Sequence, residues 1–348
     1  MNIVFVSDAW YPQINGVVNT LSRTRDELLR LGHSVQMITP DAFRTVPCPT
    51  YPEIRLALLP GARVTKLLDN ASPDAVHIAT EGPLGLAARS WCLKKGLPFT
   101  TSFHTQFPEY VKLRTGIPLA AGYRFMRWFH GRAATVMVAT ETLRARLEER
   151  GFRNLGMWSR GVDTEVFRPY DKTFLDAPRP IFMYMGRVAV EKNIQAFLNL
   201  DLDGTKFVVG GGPDLEMLKH KYPQVRFTGY KTGRELAQHV AAADVFVFPS
   251  RTDTFGLVII EALACGVPVA AFPVQGPVDI IKNGVTGFLN TDLKEAAERA
   301  ATLDPNACRA EALQYSWETC TRQFLGHLSI ATAPDVAARQ SATGRAGN

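Results

Sequence analysis

The stretch from Phe246 to Ala270 constrains the fold more than any other part of the chain. Its start, the apolar run Val245–Phe248, is closed by a proline and predicts a short strand buried in a parallel sheet. A polar turn follows at residues 250–254, and then an apolar helical segment that ends at Gly266. A second strand completes the unit, so this stretch predicts an α/β fold.

The same stretch carries two acidic residues eight positions apart, Asp253 and Glu261. The first lies at the mouth of the predicted helix and the second two turns along it, so both can point into one cleft. Four backbone amides would face an anion at the helix N-terminus, where a glycine also allows close approach: Thr254, Phe255, Gly256 and Leu257. Alternatively, an acid at a helix start acts only as a cap or as a partner of the helix dipole.

The alternation of strand and helix starts twice along the chain. The first start is the strand Asn2–Val6, and the second is the strand Ile181–Met185. The polar run at 170–180, which contains two prolines, is typical of a linker. Since 348 residues can form two separate cores, we predict two Rossmann-like domains with parallel sheets. The last residues, 331–348, are rich in small and polar residues and are predicted to be disordered.

Composition excludes several classes of protein. The five cysteines are scattered and odd in number, which fits a reducing cytosol and supports neither a zinc site nor a disulfide framework. No apolar run approaches the length of a membrane span, and Met1–Asp8 is too short for a signal peptide. The pair Asp201 and Asp203 resembles a metal-binding motif, but it precedes a strand and is interpreted as a turn. We therefore expect no metal.

The net charge of +6 comes from the first half of the chain. This half could meet an anionic membrane, nucleic acid or an acidic substrate, or its charges could only form a basic solvated face. The segment Tyr110–Arg132 interleaves basic and aromatic residues, a pattern that suits a membrane interface. Its candidates for membrane or acceptor contact are Lys112, Arg124, Arg127 and Trp128. The alternative is an ordinary amphipathic helix with its aromatic residues in the core. Nucleic acid is not expected, because no known binding module surrounds the segment.

Polar residues also follow predicted strands at their carboxyl ends, where open α/β sheets bind ligands. His104 follows the strand Phe99–Phe103, and Glu81 follows the strand Ala75–Ala79. The histidine could be catalytic or structural, and the glutamate could contact an acceptor or cap a helix. Gly16, just before a helix, could present backbone N–H groups to a phosphate or could only form a turn.

Arg187 and Lys192 lie in the loop after Ile181–Met185. Two fixed cations with backbone donors can stabilise a diphosphate leaving group, although each alone could be a solvated surface charge. A later strand ends in a tight glycine loop that includes Gly211 and allows a ligand to approach closely.

These motifs together resemble retaining glycosyltransferase family four, especially bacterial glycosyl-diacylglycerol synthases and plant sulfolipid synthase. The resemblance covers roughly residues 1 to 325. It rests on Asp253-x7-Glu261, Gly186-Arg187 with Glu191-Lys192, the glycine loop, and the segment around His104. The family pattern most often shows glutamate where this chain has Asp253, which shortens that arm by one methylene.

The resemblance implies a GT-B fold, with an acceptor domain at 1–168 and a donor domain at 169–310 that face each other across a cleft. A helix at about 311–328 would return to the first domain. It also implies roles for single residues. Arg187 and Lys192 would stabilise the departing diphosphate with a backbone donor at Gly16, and Gly211 would border the nucleotide. Glu261 would bind the ribose, Asp253 would orient the sugar, and His104 would contact it.

The implied function is transfer of a sugar, with retention, from UDP-glucose, UDP-galactose or UDP-glucuronate to a lipid acceptor, with diacylglycerol expected. The alternatives are a mannosyltransferase that uses GDP-mannose and a non-catalytic protein that binds nucleotide sugars. No cofactor is expected, since the nucleotide sugar is a co-substrate. We expect a cytoplasmic protein, peripheral on the anionic inner face of the plasma membrane, and leave the oligomeric state open.

Overall fold

The computed structural model describes residues 1–13, 15–48 and 51–330, and the chain divides into two compact units. Unit 1 comprises Met1–Ser159 together with the chain from Cys320 onward, and unit 2 comprises Arg160–Thr319. The predicted disordered tail at 331–348 lies outside the described residues.

Unit 1 is built on a parallel sheet of six described strands. In chain order they are β1 (Asn2–Val6), β2 (Ser34–Ile38), β5 (Ala75–Ile78), β6 (Thr100–Ser102), β7 (Thr135–Val138) and β8 (Leu155–Met157), with a separate antiparallel hairpin of β3 (Thr45–Cys48) and β4 (Tyr51–Ala57). The spatial order is β2-β1-β5-β6-β7-β8. After Asn2, the residues of β1 are apolar on both faces and fully buried, as expected for a parallel sheet covered by helices on both sides.

Six helices join these strands in the first stretch of unit 1. They are α1 (Gly16–Arg30), α2 (Gly61–Ala71), α3 (Pro83–Lys95), α4 (Phe107–Thr115), α5 (Leu119–His130) and α6 (Glu141–Glu149). Side-chain caps start two of them: Asn15 accepts hydrogen bonds from the second and third amides of α1, and Thr140 caps α6. The predicted amphipathic segment Tyr110–Arg132 is therefore two helices rather than one, because Gly116, at φ 74°, and Pro118 separate α4 from α5.

Unit 2 repeats the architecture. Its strands are β9 (Ile181–Met185), β10 (Thr205–Val209), β11 (Arg226–Gly229), β12 (Val245–Phe248), β13 (Val269–Ala271) and β14 (Gly287–Leu289), all parallel and ordered β11-β10-β9-β12-β13-β14. Its helices are α7 (Ile194–Leu198), α8 (Leu215–Lys221), α9 (Gly233–Ala242), α10 (Leu257–Ala264), α11 (Pro277–Ile280), α12 (Leu293–Ala300) and α13 (Pro305–Ala312). The two predicted Rossmann-like domains with parallel sheets are thus confirmed.

The boundary between the units lies at Ser159, earlier than the predicted position at residue 168. The reason is Arg309 of α13, whose guanidinium donates to the backbone carbonyls of Thr164, Phe167 and Ala264. These hydrogen bonds hold residues 160–168 in unit 2.

The helix predicted at 311–328 is also divided, into α13 and α14 (Trp317–His327). From Cys320 onward α14 belongs to unit 1. There the Gln323 side chain accepts a hydrogen bond from the Ser159 amide at 2.9 Å, and the Phe324 ring stacks on Phe5 at 5.1 Å.

Each sheet has one point where the strand order reverses. In unit 1 the reversal lies between β1 and β5, and in unit 2 between β9 and β12. Loops that leave the carboxyl ends of two such strands diverge to opposite sides and leave a crevice that binds ligands in open α/β sheets. The loops after β9 and β12 are those that carry Arg187, Lys192 and Asp253.

Candidate functional site

A salt bridge connects the loop after β9 with the loop after β12. The Lys192 ammonium donates a hydrogen bond to the Asp253 carboxylate, and both side chains are mostly buried, with 24% and 16% of their surface exposed. The Arg187 guanidinium lies 3.9 Å from the carboxylate of the buried Glu191. The crevice of unit 2 therefore holds the two predicted cations and the first predicted acid within two adjacent loops.

Backbone contacts hold these two loops together. The Asn193 side chain donates to the Pro249 carbonyl at 2.9 Å, and the Thr252 hydroxyl donates to the Glu191 carbonyl at 3.3 Å. The backbone at Gly276 packs closely against the loop after β12, since a Cβ at Gly276 would lie only 2.6 Å from the Phe255 carbonyl oxygen. The position of Asp253 is thus set by residues far apart in the sequence.

Asp253 precedes the start of α10 and pairs with Lys192. Helix α10 begins at Leu257, and its N-cap is Gly256 at φ 98°. A glycine has no side chain that could accept from the first amides of the helix, so the N-cap residue itself supplies them with no acceptor.

Five other predicted donor residues lie around the start of α10. Thr254, Gly256, Leu257 and Glu261 are half-buried. Phe255 is buried, and its ring packs edge-on against Tyr315 at 6.3 Å. We infer that Phe255 contributes its backbone rather than its side chain to any ligand. Burial raises the pKa of the Cys265 thiol, and the nearby Glu261 carboxylate raises it further.

The glycine loop after β10 packs against the loop after β9. A Cβ at Gly210 would lie 1.9 Å from the Gly186 carbonyl oxygen, and one at Gly212 would lie 2.3 Å from the Val188 carbonyl oxygen. Gly211 differs, because the nearest atom to a Cβ there is 3.9 Å away. The outer glycines are needed for loop packing, and Gly211 is the one that leaves room for a ligand.

Two residues of this crevice were not predicted from the sequence. The buried Tyr184 hydroxyl donates to the Arg187 carbonyl at 2.6 Å and so fixes that backbone, and burial raises the pKa of the phenol. Ser250, with 1% of its surface exposed, has a hydroxyl oxygen without a hydrogen-bond partner among the described residues. A tyrosine in an otherwise apolar strand is the only signal that the sequence offered.

In unit 1, His104 follows β6 as predicted, and its ring packs against Trp158 at 5.4 Å. Glu81 follows β5 and does not cap α3. Its carboxylate lies 3.2 Å from Nε2 of the buried His130, whose Nδ1 lies 2.9 Å from the Thr101 hydroxyl. Gly16 is the first residue of α1, next to its cap Asn15.

Asp8, at the carboxyl end of β1, was missed. Its buried carboxylate accepts hydrogen bonds from the Leu84 amide at 2.9 Å and the Thr80 hydroxyl at 2.9 Å, so it is Asp8 that caps α3. A Cβ at Gly82 would lie 2.4 Å from the Asp8 carboxyl carbon. Burial, opposed by these hydrogen bonds, raises the pKa of Asp8 to about 6.

The predicted membrane or acceptor residues lie on α4 and α5. Lys112, Arg124 and Arg127 are exposed, and Trp128 is 54% exposed with the Arg89 guanidinium 4.2 Å from its ring centre. The opposite face of α5 is buried and contains Tyr123, Met126 and Phe129. Most of the aromatic residues form core, as the amphipathic alternative expects, while Trp128 stays at the surface. Contact of this segment with a membrane or an acceptor stays a prediction.

The described residues contain no group of three or more potential metal ligands, and Asp201 is fully exposed near Lys294. None of their helices has the length and apolar character needed to cross a bilayer.

Comparison with known proteins gives consistent matches over most of the chain. The profile of Glycosyltransferase Family 4 matches residues 14–166, and that of Glycosyl transferases group 1 matches residues 179–304. A GDP-mannose-dependent alpha-mannosyltransferase of Mycolicibacterium smegmatis is 30% identical, with 94% of this chain and 96% of the relative aligned.

Two further relatives and one solved structure extend this similarity. Sulfoquinovosyl transferase SQD2 of Arabidopsis thaliana is 28% identical over 92% of this chain and 72% of its own length. Alpha-monoglucosyldiacylglycerol synthase of Streptococcus pneumoniae is 27% identical over 78% of this chain and 71% of its own. The crystal structure of Anabaena HepE in complex with UDP-glucose has a TM-score of 0.71 at 17% identity, over 94% of this chain and 98% of that one.

Proposed function

We propose that this chain, which belongs to glycosyltransferase family 4, transfers a hexosyl group from a nucleoside diphosphate sugar to a lipid acceptor at a membrane surface. The family, the GT-B fold and the hexosyltransferase activity expected from the sequence are confirmed by the matching profiles and relatives. The donor, the acceptor and the residue roles are the proposal. The observation that carries it is the meeting of Arg187, Lys192 and Asp253 at the crevice of unit 2.

The donor diphosphate would bind between the loops after β9 and β10. Arg187 and Lys192 supply two positive charges, and the Tyr184 hydroxyl holds the backbone of the first. Gly211 leaves space beside them, and the amides at the start of α10, whose N-cap residue is a glycine, add donors for an anion. As the glycosidic bond breaks, these groups would stabilise the negative charge on the leaving diphosphate without a cofactor.

The acids take different parts in this proposal. Glu261, one turn inside α10, would accept hydrogen bonds from the ribose hydroxyls. Asp253, held at the crevice by Lys192, would orient the sugar. His104 at the end of β6 would contact the reacting sugar, and Gly16 at the start of α1 would add a backbone donor.

For the donor, we propose a UDP-hexose, namely UDP-glucose, UDP-galactose or UDP-glucuronate. The structural similarity to HepE bound to UDP-glucose agrees with a pocket of this kind. GDP-mannose is the second candidate, because the M. smegmatis relative is a GDP-mannose-dependent enzyme. Competition between UDP and GDP for the purified protein separates the two, since one nucleotide should bind at least tenfold more tightly than the other.

For the acceptor we propose diacylglycerol, because the S. pneumoniae relative is an alpha-monoglucosyldiacylglycerol synthase. The exposed Arg124, Arg127 and Trp128 on α5 offer the cationic and aromatic contacts of a protein that binds peripherally to an anionic cytosolic membrane face. Binding to anionic vesicles should fall as salt rises. Equal binding to neutral and anionic vesicles would contradict the membrane part of the proposal.

The test of transfer is release of nucleoside diphosphate from the donor when lipid is added. A non-catalytic protein that binds nucleotide sugars would also use Arg187, Lys192 and Glu261, but it would release no nucleoside diphosphate. Binding of a donor without any release, across lipid and sugar acceptors, would therefore refute transfer while leaving the crevice as a binding site.

A further inference from the structure

A cavity of about 200 Å³ lies in unit 1 between the C-terminal ends of α5 and α6 and the first residues of β7 and β8. Arg127, Gly131, Gly151, Phe152, Arg153 and Asn154 line it. It opens at the amino-end edge of the sheet, whereas His104 and Glu81 follow the carboxyl ends of their strands. The cavity is therefore separate from the residues proposed for transfer.

The surroundings of this cavity carry positive charge that no carboxylate neutralises. Five arginines have no carboxylate oxygen within 4 Å in the part of the chain that the structure describes: Arg124, Arg127, Arg132, Arg150 and Arg153. Arginines nearby on α6 behave differently, since Arg144 pairs with Glu141 and Glu148. His130 also lines the cavity, and its Nε2 lies 3.2 Å from the Glu81 carboxylate.

The lining itself suits an anion. Arg127 uses one N–H to donate to the Arg150 carbonyl at 3.2 Å, and its planar guanidinium has four others. Arg153 is exposed at the rim. The apolar Val136 and Phe152 form part of the wall, which lowers the local dielectric and strengthens a charge-assisted hydrogen bond. Gly151 keeps the wall open, because the nearest atom to a Cβ there is the Arg127 Cδ at 3.8 Å.

We propose that this cavity, the arginine pocket, binds a phosphate group. Two arginines, Arg127 and Arg153, line this small cavity, and a planar guanidinium can bind two phosphate oxygens at once. The phosphate belongs either to the headgroup of an anionic phospholipid or to free phosphate. The arginine pocket does not depend on the proposed transfer reaction, so it can be tested whether or not that reaction is found.

The test compares Arg127→Gln/Arg153→Gln with Arg144→Gln, which removes a paired charge from α6. Inorganic phosphate is titrated calorimetrically in the full-length chain carrying Arg187→Ala and Lys192→Ala, so that the crevice of unit 2 does not contribute. The double substitution should weaken phosphate binding about tenfold or more, since charge-assisted hydrogen bonds are lost, and Arg144→Gln should leave it unchanged. Arg153→Gln alone, which breaks no hydrogen bond or ion pair among the described residues, should weaken binding with an unchanged Tm.

Vesicles distinguish the two sources of phosphate. If binding to phosphatidylcholine vesicles that contain phosphatidic acid falls with the double substitution and not with Arg144→Gln, the ligand is a lipid headgroup. If phosphate binding falls while vesicle binding is unchanged, the ligand is free phosphate. The proposal is overturned if the unsubstituted pocket binds neither probe, if the double variant binds both normally, or if Arg144→Gln weakens binding equally.

Discussion

Replacing Asp253 with asparagine should change nucleotide binding and sugar transfer in opposite directions. Before a donor binds, the Lys192 ammonium is hydrogen-bonded to Asp253. A diphosphate must therefore compete with this carboxylate for the ammonium. Asparagine keeps the size of the side chain and removes the negative charge, so Lys192 becomes more available to the phosphates.

The magnitude follows from the burial of the pair. A hydrogen bond between charged groups contributes about 1.5–3 kcal/mol, and partial exposure of both side chains lowers this toward 1 kcal/mol. Nucleoside diphosphate should accordingly bind about fivefold more tightly to the variant. Transfer should fall about tenfold to a hundredfold in kcat/KM, because the contact that orients the sugar is lost.

Calorimetric titration with UDP and GDP measures the first effect, and nucleoside diphosphate release in the presence of lipid measures the second. Asp201→Asn is the matched control, since Asp201 is fully exposed in the same unit and the charge change is the same. Asp253→Glu restores the acid with one more methylene and should retain most transfer. Equal weakening of nucleotide binding and transfer by Asp253→Asn would refute the division of roles.

Two further predictions concern stability. Gly210→Ala should lower the free energy of unfolding by at least about 2 kcal/mol, because its Cβ would meet the Gly186 carbonyl oxygen at 1.9 Å. The control Gly211→Ala should change the free energy of unfolding by less than about 1 kcal/mol, and similar urea midpoints for the two variants would contradict this loop geometry. Burial raises the pKa of Asp8 to about 6, so the folded protein favours the protonated carboxyl group. The free energy of unfolding should therefore fall by up to about 3 kcal/mol as the pH rises from about 4 through 6 and this proton is lost. Urea unfolding across that range should show this loss in the unsubstituted chain and not in Asp8→Asn, and parallel pH profiles would exclude Asp8 as its source.

The sequence predicted the strands that frame the crevice because their composition leaves little choice. Ile181–Met185 and Val245–Phe248 are apolar runs bounded by glycine or proline, and both have the predicted limits. The hairpin of β3 and β4 was missed, since prolines interrupt both of its strands and proline argues against a strand.

The candidate site could be predicted as a set of residues but not as an arrangement. Lys192 and Asp253 are 61 positions apart, and only the strand order of unit 2 brings their loops together. Asp8 stands in a stretch that resembles any polar loop, and its burial depends on α3, whose amide at Leu84 is 76 positions away. At the break between α13 and α14, the Tyr315 carbonyl accepts a hydrogen bond at 3.0 Å from the Val162 amide, which is also far away in the sequence.

One measurement tests the central claim most directly. The purified protein and its Lys192→Ala variant are incubated with diacylglycerol and, in turn, UDP-glucose, UDP-galactose, UDP-glucuronate and GDP-mannose, and the lipids are analysed by mass spectrometry. The proposal predicts a glycosylated lipid with one of these donors, and at least about a hundredfold less of it with Lys192→Ala, since that variant loses a charge that stabilises the leaving diphosphate. Glycolipid formed equally well by Lys192→Ala, or donor binding with no glycolipid from any donor, would contradict it.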